Sequence, residues 1–99
     1  MPPTVPASLD LLEREIATRY GCKSIAVKRE MVTATVGHKS LVFRVTRFEL
    51  LGHASAEHCY AWSMPVNHGK EKVVVMLESA PILSAEDAVW ARLNYEDGK

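Results

Sequence analysis

The sequence predicts an α+β domain: a four-stranded antiparallel meander sheet with an N-terminal and a C-terminal helix packed on one face. Three observations carry that reading. Ser24 to Ser79 is rich in β-branched and aromatic residues and is broken at intervals by glycine-containing turns. An amphipathic helical pattern lies on each side of this span. No repeat, low-complexity stretch or linker divides the chain, so residues 1–99 read as a single domain.

Residues 1–7 are Pro-rich and are expected to be loosely ordered. A helix is predicted from about Ser8 to Tyr20, with Leu9, Leu12, Ile16 and Tyr20 on one face. Ser8 suits its N-cap and Asp10 the positive end of its dipole. Glu15 and Arg19, four residues apart, can pair on the wet side, and Gly21 supplies a left-handed stop.

Strand one is expected from Ser24 to Val36. Ile25 and Val27 sit on one phase, and Val32, Ala34 and Val36 on the other, which predicts a bulge near Arg29 or Glu30. Gly37 to Ser40 makes the first turn. Strand two, Leu41 to Leu51, carries Leu41, Phe43 and Val45 on one phase. Phe48 and Leu50 then predict a second phase slip. Gly52 to Ala56 closes this hairpin. Strand three, Glu57 to Met64, and strand four, Glu71 to Ser79, are joined by Pro65 to Lys70, where Asn67 and Gly69 tolerate positive φ. After Pro81, Ser84-Ala85-Glu86-Asp87 resembles a capping box and opens a helix with Ala85, Ala88, Val89 and Leu93 as its apolar stripe, ending before Gly98.

With both helices on one face, the other is predicted to be open. Small residues let a helix approach closely, so Cys59 and Ala61 are expected beneath the helices. Tyr60, Trp62, Met64, Val74 and Met76 then point outward, rimmed by Arg44, Lys28 and Lys72. Such a face has the composition of an interface, and a homodimer or a small protein partner is the expected occupant. The competing reading reverses strand three and places Tyr60 and Trp62 in the core.

Apolar residues make up 47% of the chain, which argues against disorder. A domain of this size buries only roughly two-thirds of its unfolded surface, so its core is thin. Twelve basic residues balance twelve acidic ones. Zero net charge removes self-repulsion and lowers the expectation of nucleic-acid binding. Lys23, Lys28, Arg29, Arg44 and Arg47 still offer a basic strip along strands one and two, the alternative reading. The element order is similar to that of the double-stranded RNA-binding domain. That family starts its second helix with lysines, whereas this chain has Ser84-Ala85-Glu86-Asp87, which would repel phosphate.

No pattern points to a reaction. Cys22, His53, His58 and Cys59 gather at one end of the meander, with His38 and His68 at the other, and the first set contains the ligand types zinc prefers. Adjacent His58 and Cys59 point to opposite faces, and no short ligand spacing supports a site. Cys22 with His53 or His58 could form a thiol and base, a pairing common by chance, and Ser63 and Ser84 lack a nucleophile-elbow context. Glu13, Glu15, Glu86 and Asp87 read as solvated helix positions. No Gly-rich phosphate loop is present, so no cofactor is expected. A small hydrolase or metal protein is the third class considered.

Met1-Pro2-Pro3-Thr4-Val5-Pro6 has neither segment of a signal peptide, and the aliphatic run Val73 to Leu77 is too short to span a bilayer. A cytoplasmic location, with both cysteines as thiols and no membrane contact, is expected. Tyr60-Ala61-Trp62-Ser63, then Val73 to Leu77, then Pro81 to Val89 resembles small uncharacterised bacterial α+β proteins with a Tyr-Ala-Trp strand and a Ser-capped Ala-Val C-terminal helix. The resemblance covers the C-terminal half, implies a bacterial origin and implies no activity.

Overall fold

The computed structural model describes residues 9–65 and 71–97. In chain order these form α1 (Leu9–Tyr20), β1 (Lys23–Val36), β2 (Lys39–Leu51), β3 (His58–Pro65), β4 (Glu71–Leu77) and α2 (Ala85–Asp97). The strands make one antiparallel sheet in the order β1-β2-β3-β4, so the α+β class and the meander are as the sequence predicts. The Ser8 cap, the loosely ordered residues 1–7, the β3–β4 loop over 66–70 with His68, and Gly98 fall outside the described residues.

The helix signals act locally. Glu15 and Arg19 pair at 2.7 Å on the outside of α1. Gly21 takes φ 68° and its N–H donates to the Ala17 carbonyl at 2.8 Å, satisfying an orphan acceptor of the last turn. At α2, the Asp87 N–H donates to Ser84 Oγ at 3.1 Å. In return the Leu83 N–H, one residue before the cap, donates to Asp87 Oδ2 at 3.2 Å.

The bulge in β1 lies earlier than predicted. Register shifts between Ala26 and Lys28, leaving Val27 as the extra residue; from there Lys28↔Arg47 to Val36↔Lys39 runs unbroken. The expected slip in β2 is absent from the pairing. Its burial still changes phase, from Phe43 and Val45 to Phe48 and Leu50. The reason is a change of cover. The first half of β2 is buried by one helix, and the second half by the other helix from the opposite side.

That arrangement corrects the placement of both helices on one face. Leu12 and Ile16 of α1 pack on Phe48, Leu50, Cys59, Ala61 and Val75. Ala85, Ala88, Val89 and Leu93 of α2 pack on Val32, Ala34, Phe43, Val45, Tyr60, Trp62 and Val74. Cys59 and Ala61 alternate with Tyr60 and Trp62 along β3, so the two clusters use opposite faces. All four of these residues are at most 1% exposed. A strand covered on both sides is expected to read as a continuous apolar run rather than an alternation, which is how Cys59-Tyr60-Ala61-Trp62 reads.

β2 and β3 pair through Thr46–Glu49 against His58–Ala61, with one further bond from the Leu50 N–H to the Glu57 carbonyl at 2.8 Å. Continuing that register would set Val45 opposite Trp62 and Arg44 opposite Ser63, but the ladder stops there. The β1–β2 and β3–β4 hairpins therefore share a short seam and diverge beyond it.

Candidate interaction surface

Burial under α2 removes most of the surface predicted from sequence. Tyr60, Trp62 and Val74 are fully inside, and Met64 and Met76 pack half-buried against the same cluster. The reversed reading of β3, with its aromatics in the core, is the one realised. Arg44 is exposed but lies on the α1 side of the sheet, since it pairs with Met31 and is one residue out of phase with Val45. The six residues do not form one surface.

The basic strip is also divided. Arg29 and Arg44 fall on the α1 side, while Lys28 and Arg47, which pair directly, fall on the α2 side. Lys28 is 3.6 Å from Glu30. Arg47 donates to both oxygens of Glu78, at 3.2 and 3.1 Å. These cations do not present a row to a phosphate backbone.

Arg47 belongs to the most organised polar cluster. Tyr60 donates its hydroxyl to Glu78 Oε2 at 2.8 Å, and His58 Nδ1 lies 3.5 Å from Glu78 Oε1. Burial alone would raise the Glu78 carboxyl. Hydrogen bonds from Tyr60 and Arg47 and the charges of Arg47 and His58 outweigh it and hold the group below its usual range. Burial, aided by the bond to Glu78, pushes Tyr60 up to about 12. A carboxylate already held by these donors and a phenol kept protonated make a clamp across β2, β3 and the end of β4. Neither is poised to move a proton near neutral pH.

Among the described residues no hydrogen bond joins Cys22 to His53 or His58. Burial, with Cys22 nearby, pushes Cys59 up to about 12, so it stays protonated and unreactive. His58 is on the opposite face from Cys59. His53 Nδ1 accepts the backbone N–H groups of Ser55 and Ala56, both at 3.1 Å, and its ring meets Tyr20 edge-on at 5.3 Å. Its work is to close the β2–β3 loop. Among the described residues, no group of three or more His, Cys, Asp or Glu side chains could hold a metal ion. A groove of about 510 Å³ between α1 and the start of β1 is lined by Asp10, Glu13, Arg14, Ala17, Cys22, Lys23 and Ser24. Its two acids and two bases cancel, so it has no net sign to select a ligand.

Apart from Leu11 on α1 and Leu83 before α2, the large apolar side chains left exposed among the described residues lie on the first hairpin, with Met31 and Val42 on its α1 side and Ile25 and Leu51 on its α2 side. β1 carries Ile25 and Val27, each 51% exposed, and Met31 at 62%. Across from β1, β2 exposes Val42, opposite Thr33, and Leu51, opposite Lys23. Ser84 and Glu86 at the start of α2 meet Glu30 to Thr33 of β1 around a notch of about 250 Å³, and Leu83 beside it is 66% exposed. β1 is an edge strand of 14 residues. Sequence reasoning marked its β-branched content but missed its exposure. Its edge position was legible, since a first strand in a meander has no neighbour on its outer side; which side chains the helices leave uncovered was not. No family model, curated protein or solved structure matches the chain, so these residues carry the functional argument by themselves.

Proposed function

We propose that this protein is a non-enzymatic interaction module that associates through the outer surface of its first hairpin, with a second copy of the chain as its partner. The observation that carries the reading is the long edge strand β1, with Met31 and its neighbours turned to solvent. Natural sheets shield such edges with charge, short strands or cover, so an uncharged and exposed stretch is an expected docking feature. Zero net charge lets copies approach. Closed polar clusters at the places where catalysis was considered favour an interaction role over a hydrolase.

The resemblance to small bacterial proteins supports a bacterial cytoplasmic origin. No helix among the described residues is long and apolar enough to cross a membrane. Light scattering behind size exclusion, over a concentration series, tests the reading. A dimer is expected for the wild-type chain, and Met31→Lys is expected to weaken it at least tenfold without loss of fold. A monomer at every concentration overturns it.

A further inference from the structure

From the hairpin geometry we infer that two copies join edge to edge, Met31–Thr35 of β1 pairing antiparallel with the same segment of the second copy, Thr33 opposite Thr33. This deepens the proposed function and rests on it. Four features of the fold support the inference.

The first is the state of the edge. Lys28, Arg29 and Glu30 and the bulge at Val27 interrupt the first half of β1, and such devices prevent strand addition. The six residues from Met31 to Val36 contain no charge, proline or glycine. Antiparallel pairing of this segment with itself brings no like charges together.

The second is backbone direction. Gly37 and His38 form a two-residue loop between the paired residues Val36 and Lys39. Such a loop is flanked by a hydrogen-bonded pair, and pairs alternate along an antiparallel ladder. Val32, Ala34 and Val36 therefore spend their backbone groups on β2. Met31, Thr33 and Thr35 turn their N–H and C=O groups outward, where a second strand can take them.

The third is the match of faces. A two-fold axis at Thr33 sets Met31 opposite Thr35, so every new pair shares one face, as a continuous sheet requires. The exposed Met31 and Val42 of both copies then lie on the same side.

The fourth is charge. In this register Glu30 stands opposite Val36 of the second copy, whose hairpin partner is Lys39. Two strand spacings, roughly 10 Å between Cα atoms, are within reach of a lysine and a glutamate stretched toward each other. Lys39 is exposed and enters no ion pair among the described residues. Glu30 and Glu86 give the notch an acidic lining. The two-fold axis makes this complementary contact twice.

The experiment uses the full chain with Cys22→Ser, which leaves buried Cys59 as its only native thiol. Thr33→Pro removes an outward N–H that the hairpin does not use, so the expected result is a folded monomer, with circular dichroism unchanged and dimerisation weakened at least tenfold. Thr33→Cys is expected to form an intermolecular disulfide under mild oxidation, whereas Thr35→Cys, facing Met31, is not. The cysteine pair decides the matter even if the proline variant fails to fold. A Thr33→Pro variant that remains a dimer overturns edge pairing, as does equal cross-linking at Thr33 and Thr35. If Met31→Lys disrupts that same dimer, the broader hairpin-surface reading survives alone. A wild-type monomer overturns both.

Discussion

β1 and β4 are the two edges of the same sheet, and they are protected differently. β4 has 7 residues, opens with the exposed charges of Glu71 and Lys72, and buries Val74 under α2 and Val75 under α1. β1 is twice as long, has helix cover on only part of each face, and leaves Ile25, Val27 and Met31 in solvent. The difference teaches where to look for an interface in a small domain. Apolar residues near β4 are committed to holding the monomer together, whereas on β1 the buried Val32 and Ala34 share that role and the exposed Ile25, Val27 and Met31 are free to contact another molecule.

The largest effect should fall on the β4 side. Trp62, opposite Val74 and without exposure, is expected to cost about 3–5 kcal/mol when changed to alanine, read by denaturant unfolding. Met31→Lys, on the β1 side, should leave unfolding within about 0.5 kcal/mol of wild type when both are read at concentrations where the chain is monomeric. If both variants unfold alike, the contrast between the edges is wrong.

The clamp beyond β4 should matter less. Glu78→Gln is expected to lower stability by about 1–3 kcal/mol, the range for hydrogen bonds to a charged group with modest exposure. The folded carboxyl lies below the ordinary 4.5, so its contribution is present above that pH and is lost as pH falls through the folded value. Wild type should therefore lose stability more steeply than Glu78→Gln below about pH 4.5, in acid unfolding series. Parallel curves would remove the clamp from the account.

Gly21→Ala meets no atom within 4 Å but must hold φ +68°, a backbone cost of about 1 kcal/mol in thermal unfolding. The smallest effect is chemical. At pH 8 a thiol reagent should modify half-buried Cys22 while Cys59, pushed up to about 12, reacts only after unfolding. Rapid labelling of both would mean that the α1 face opens readily.

The elements were legible because their signals are local. Gly21, Ser84 and the Gly37 turn each act within a few residues, and they place both helices and the first hairpin. The assignment of faces was not legible, because it depends on what covers a strand. Phe48 and Leu50 looked like a slip in β2 although the pairing is continuous; their change of phase records a change of helix. Tyr60 and Trp62 could be read outward only by assuming that both helices share a face. The continuous run Cys59 to Trp62 was the available hint that β3 has no outer side. The exposure of Met31 was harder still, since it follows from α1 and α2 each covering only part of the sheet.

The short seam between the hairpins has a consequence for synthesis. Each hairpin closes through a nearby turn, so the β1–β2 pair can form while the rest of the chain is still being made. Its Val32, Ala34, Phe43 and Val45 then wait for Ala85, Ala88, Val89 and Leu93, which emerge later. Until they arrive, the growing chain exposes half of its core beside an unpaired strand. The arrival of Ala85 to Leu93 thus sets the moment at which a new copy stops being an aggregation hazard to its neighbours.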